Sequence, residues 1–105
     1  MKLITKGIIT QSIKQGDTSS KSLDKIKVIA KFFGGAKTYY MAEYFPETHL
    51  GYGFVNLGDS QMAELGYFSI AELEKTQWPI IEKDKYFGKH TLREVMDTVK
   101  SGGHI

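Results

Sequence analysis

Apolar residues in this chain keep two different rhythms. In the middle they alternate with polar ones: Ile26, Val28, Ala30 and Phe32 stand against Lys27 and Lys31. A period of two is that of a half-buried strand, so a strand is predicted over 26–33. Gly34-Gly35-Ala36-Lys37 predicts a hairpin turn. The aromatic-rich stretch 38–45 predicts a second strand, Pro46-Glu47-Thr48-His49 a turn, and 50–57 a third strand closed by Gly58-Asp59. Connections this short join antiparallel neighbours into a meander. Residues 65–68 and 80–87 predict two further short strands.

The second rhythm is helical. Ser69 with Glu72, and Thr91 with Glu94, have the spacing of a capping box, in which hydroxyl and carboxylate each take a main-chain N–H of the other residue. Phe68 and Leu73 flank the first box at the distance of a hydrophobic staple, and Pro79 stops that short helix. After the second box, Leu92, Val95, Met96 and Val99 repeat at three and four residues, an amphipathic stripe that Gly102-Gly103 ends. An earlier helix is predicted from Thr5 as N-cap to Lys14, with Ile8, Ile9 and Ile13 inward and Gly16 beyond it. The polar stretch near 15–24 predicts a flexible loop, and 101–105 a short tail. Together these elements predict one domain over 1–105. Its fold is α+β, a small antiparallel sheet of three to five strands around a meander core, with about three helices packed on one face.

Composition narrows the chemistry. A chain of 105 residues suffices for one core. It has no cysteine, which excludes disulfides and thiolate-ligated zinc and suits a reducing cytoplasm. No apolar run reaches the ~20 residues of a membrane span, and the opening Met1-Lys2-Leu3-Ile4-Thr5-Lys6 is too polar for a signal peptide. Residues 1–49 carry eight Lys and four acids, and residues 50–105 six Lys or Arg and eight acids, so a net +4 faces a net −2. The single Arg93 disfavours sequence-specific nucleic-acid readout.

Candidate site residues are few. His49, His90 and His104 lack metal-ligand spacing, so neither a metal nor a cofactor is expected. Ser69 is explained as a cap, and Gly34-Gly35 lacks the sequence of a phosphate loop. Glu82 and Asp84, two apart on a strand, would share a face with Tyr86, either as a solvated strip or as an acidic contact for a basic protein surface. Gly51 and Gly53 leave one strand face bare for close approach of a helix or another chain. Among Tyr39, Tyr40, Tyr44, Tyr52 and Tyr67, most would be core, with an exposed subset able to stack bases.

The stretches Glu64-Leu65-Gly66-Tyr67-Phe68-Ser69 with Glu72-Leu73, Tyr39-Tyr40-Met41-Ala42-Glu43-Tyr44, Gly53-Phe54-Val55 and Ile81-Glu82-Lys83-Asp84-Lys85-Tyr86-Phe87 resemble a family of small bacterial, plasmid and phage proteins catalogued as a domain of unknown function. Lys83 stands where that family more often has Arg. The resemblance carries no catalytic residues over. It implies cargo of mobile genetic elements, and some gut-bacterial proteins of this size resemble type II-A anti-CRISPRs. The expectation is therefore a non-catalytic inhibitor that binds a host defence nuclease, Cas9 or its guide-RNA complex, through Glu82, Asp84 and Tyr86, with Tyr40 and Glu64 secondary. A nucleic-acid-binding accessory module using Lys25, Lys27, Lys31 and Lys37 is the alternative. A small hydrolase built on Glu82, Asp84 and a histidine comes third.

Overall fold

The computed structural model describes residues 2–105. Strands β1 (Ala30–Gly34), β2 (Lys37–Phe45), β3 (Leu50–Asn56), β4 (Glu64–Ser69) and β5 (Glu82–Lys83) form one antiparallel sheet in the order β4-β3-β2-β1-β5. Helices α1 (Lys6–Gln15), α2 (Ile70–Lys75) and α3 (Leu92–Lys100) pack on it. The fold is α+β, as expected. Gly34 pairs with Lys37, leaving Gly35-Ala36 as the hairpin loop, and Gly35 has a φ of 56° that a Cβ would strain.

Two predicted strands are shorter than their patterns. The first starts at Ala30, because residues 26–28 are pinned to the approach of α3: Val28 N–H donates to His90 O (3.0 Å) and Leu92 N–H to Ile26 O (2.7 Å). The fifth stops at Lys83, because the Asp84 carboxylate accepts the Tyr86 N–H at 2.9 Å and turns the chain.

The helices do not share one face. Tyr39 and Met41 of β2 join Leu3, Ile8, Phe32, Phe68, Ile70 and Leu73 in a core under α1 and α2. Tyr40 and Ala42 join Ile26, Val28, Phe54, Leu92, Val95 and Val99 in a second core under α3. The sheet is thus buried on both sides over β2, and the four consecutive buried residues 39–42 are the mark of it. Ile13 corrects the α1 reading: it points to solvent, while Ser12 turns inward and its hydroxyl donates to Tyr44 O and accepts the Tyr44 N–H.

A β-bulge sits in β2. Met41 opposes Gly53 and Glu43 opposes Tyr52, so Ala42 is the extra residue. The bulge puts Ala42 and Glu43 on the same side and carries Glu43 and Phe45 to the α3 face. Gln15 at the end of α1 donates to the bulged Ala42 O (2.7 Å) and also bonds both main-chain groups of Lys27. Gly53 is required opposite the bulge, where a Cβ would collide with the Tyr40 main chain. Gly51 leaves no vacant face: the Phe68 ring and Met41 Sδ fill the space a Cβ would take.

Both capping boxes form by half. Ser69 Oγ accepts the Glu72 N–H (3.2 Å) and Thr91 Oγ1 the Glu94 N–H (3.1 Å). The return bonds from the carboxylates are absent among the described residues. Ser69 also ends β4 opposite Leu50, and Thr91 bridges Lys27, so each cap is already placed by a strand-like neighbour. Glu94 instead lies 3.1 Å from His90 Nδ1.

Candidate functional site

The expected acidic strip holds for Glu82 and Asp84 but does not reach Tyr86: Glu82 opposes Phe33, and the Asp84 N–H donates to Lys31 O at 2.9 Å. Glu82 is exposed on β5, and Asp84 lies beyond it, within 3.6 Å of Lys31 Nζ and holding its own turn. That turn lifts Tyr86 off the sheet, leaving it 94% exposed. Glu64 is exposed at the start of β4. Tyr40 is corrected outright: it is 4% exposed, packed against Phe54 and Phe87, and its hydroxyl donates to Ile105 O at 3.2 Å. Burial raises its pKa, with Asp84 adding in the same direction. It is core and offers no surface contact.

Trp78 is the residue that sequence reasoning passed over. It is 92% exposed, and Ile80, 56% exposed, follows it where Pro79 and Ile80 pack against Gly35 and Gly34 at the hairpin end of β1. Trp78 falls between the helix stopped at Pro79 and the strand predicted from residue 80, and a large apolar residue in such a gap has no core face to join. In the chain, Trp78 and Ile80 thus precede β5, Glu82 lies on it and Tyr86 follows it, all four exposed.

Lysines are less available than their number suggests. Lys31 Nζ lies 5.8–5.9 Å from the ring centres of Phe33, Tyr40 and Phe87, and donates to Ile105 O at 2.7 Å. With Asp84 alongside, this is a caged cation inside the fold. It is thereby withdrawn from the cluster of Lys25, Lys27, Lys31 and Lys37.

The histidines lie apart, and no three His, Asp or Glu converge among the described residues. His49 is nonetheless held on two sides. Tyr44 Oη is 2.6 Å from Nδ1, and Nε2 is 3.2 Å from Glu74 Oε1. With a carboxylate at Nε2, the neutral ring keeps its proton there and accepts from Tyr44. Glu74 Oε2 accepts the Leu3 N–H at 2.9 Å. Burial pushes the Glu74 carboxyl up, but the Leu3 N–H and the His49 ring outweigh it and hold it below the ordinary carboxylate value. Burial raises the Tyr44 hydroxyl, and Glu74 adds to that. The chain of three bonds fastens the β2–β3 turn and the N-terminal segment to α2, with His49 in a left-handed backbone (φ 56°).

On the α3 face, beyond the helix, a groove of about 670 Å³ stays open. Its floor is a row across three strands: Glu43 of β2 opposes Tyr52 of β3, which opposes Tyr67 of β4. The rings of Tyr52 and Tyr67 are 4.9 Å apart and those of Phe45 and Tyr67 5.9 Å apart. Glu43 Oε1 accepts both the N–H (2.8 Å) and the hydroxyl of Thr18, which is buried in the loop that forms one wall. Of the tyrosines, Tyr67 is exposed and Tyr52 half-buried here, and the side that Glu43 and Phe45 share with them depends on the bulge at Ala42, which no pattern announces.

A family model described as a protein of unknown function (DUF2958) matches residues 3–105. No curated protein and no solved structure matches the chain. Among the described residues, no helix is long and apolar enough to cross a membrane.

Proposed function

We propose, from the premise that the chain belongs to this DUF2958 family of proteins of unknown function, that it acts by stoichiometric contact with a host nuclease and without turnover. In its most specific form the partner is Cas9 or its guide-RNA complex, and the protein is an anti-CRISPR carried by mobile elements. One observation supports the contact reading above the others: Trp78 and Tyr86, which flank β5 in the chain, stand almost fully exposed, with Ile80 and Glu82 between them in sequence. Trp and Tyr are the residues that most often carry binding energy in interfaces, because a large ring leaves water at little cost in side-chain freedom. An accompanying carboxylate suits the basic channel in which an RNA-guided nuclease holds its heteroduplex.

Titrating the purified protein into a Cas9 cleavage assay tests this. Inhibition should saturate near one inhibitor per nuclease. Trp78→Ala should weaken it by about tenfold or more, the range of an interface anchor, with the melting temperature unchanged. Glu82→Lys should chiefly slow association. Full cleavage at large molar excess sinks the Cas9 reading, and inhibition untouched by Trp78→Ala and Glu82→Lys sinks the surface.

A further inference from the structure

The α3 face carries two aromatic groups, and only one of them has a cation. In the first, Lys31 is ringed by Phe33, Tyr40 and Phe87 with the Asp84 carboxylate 3.6 Å away. In the second, Phe45, Tyr52 and Tyr67 are gathered beside the Glu43 carboxylate, and among the described residues no Lys or Arg lies over their rings. Lys21 lines that groove, but its Nζ donates to Gln15 O at 2.6 Å. From this contrast we infer that the groove binds the guanidinium of an arginine side chain presented by a partner polypeptide.

The chemistry follows from the row Glu43–Tyr52–Tyr67. Neighbouring strands lie ~4.8 Å apart, so a planar cation on the Tyr52 ring sits within reach of both the carboxylate on one side and the second ring on the other. A ring face attracts a cation through its quadrupole, and a guanidinium adds stacking that an ammonium cannot. Thr18 fixes Glu43 through Oε1, while Oε2 has no hydrogen-bond partner among the described residues. The acceptor is therefore held in place before any ligand arrives. The groove is open along one side, since Tyr67 is 67% exposed on the edge strand β4, which admits a side chain projecting from an extended segment. A nucleic-acid strand fits worse: its bases would find the rings, but its phosphates would meet Glu43 and Asp17.

The site lies on other strands from the contact that flanks β5 and stands whether or not Cas9 is a partner. Calorimetric titration of the intact chain with a Gly-Arg repeat peptide tests it, alongside Gly-Lys and Gly-Glu repeats, free arginine and an oligothymidylate. The Gly-Arg peptide should bind, the Gly-Lys peptide several-fold more weakly and the Gly-Glu peptide not at all. Tyr67→Ala should lower Gly-Arg affinity by about tenfold, the scale of one desolvated cation–ring contact; Tyr67→Phe should restore it, and Trp78→Ala should leave it alone. Absence of binding, equal affinity in Tyr67→Ala, or tighter binding of the oligothymidylate or the acidic peptide overturns the proposal. Free arginine binding as tightly as the peptide overturns the polypeptide assignment.

Discussion

Ser69 and Leu73 do different work within one turn of chain. The Ser69 hydroxyl satisfies a single helix-start N–H, whereas Leu73 is buried with Phe68 and Ile70 in the core beneath α2. Ser69→Ala should therefore cost about 1 kcal/mol and Leu73→Ala roughly 2–5 kcal/mol, read from denaturant midpoints. Glu74 adds a pH dependence. Its folded pKa is lowered, so the folded state holds that proton less tightly than the unfolded chain does. The stability this contributes is complete above the unfolded carboxylate value of about 4.3 and is lost as pH falls through the folded one. A Glu74→Gln variant should show a shallower fall in melting temperature on acidification; an acid limb identical to that of the parent chain would refute the role. Neither the Glu74–His49–Tyr44 chain nor the Glu43–Tyr52–Tyr67 row is visible in sequence. Neither set carries a motif spacing: strand register aligns Glu43, Tyr52 and Tyr67, and the packing of α2 against the β2–β3 turn brings Glu74 to His49.

The elements themselves were largely legible. Caps at Thr5, Ser69 and Thr91 and the turn at Gly35-Ala36 are local chemistry, and local chemistry is written in a few consecutive residues. Sidedness was not. Alternation in 26–33 suggested one wet face, while Tyr39-Tyr40-Met41-Ala42 has no alternation, the pattern of a strand covered twice. The β5 pattern failed for a related reason: Lys83-Asp84-Lys85 alternates in charge equally well on a strand and in a turn, and the side-chain bond from Asp84 decides for the turn. Two-sided burial predicts that α3 matters as much as α2. Leu92 is fully buried in the second core, so Leu92→Ala should also cost roughly 2–5 kcal/mol. A denaturant midpoint equal to that of the parent chain would mean that α3 lies loosely on the sheet.

At the scale of the molecule, charge and burial follow different divisions. The sequence halves differ in net charge, yet both contribute strands to one sheet and residues to both cores. The meander β1–β4 joins neighbours in order, with pairings that close over short loops, whereas α3 returns from far along the chain to cover Tyr40, Ala42 and Phe54. During synthesis the ribosome releases that sheet face well before the helix that seals it. A nascent chain halted between β4 and α3 therefore presents a sticky apolar wall beside the free edge of β4, the kind of surface that chaperones recognise and that associates with copies of itself. Speed of translation through residues 70–100 then becomes a determinant of yield, separate from the stability of the finished fold.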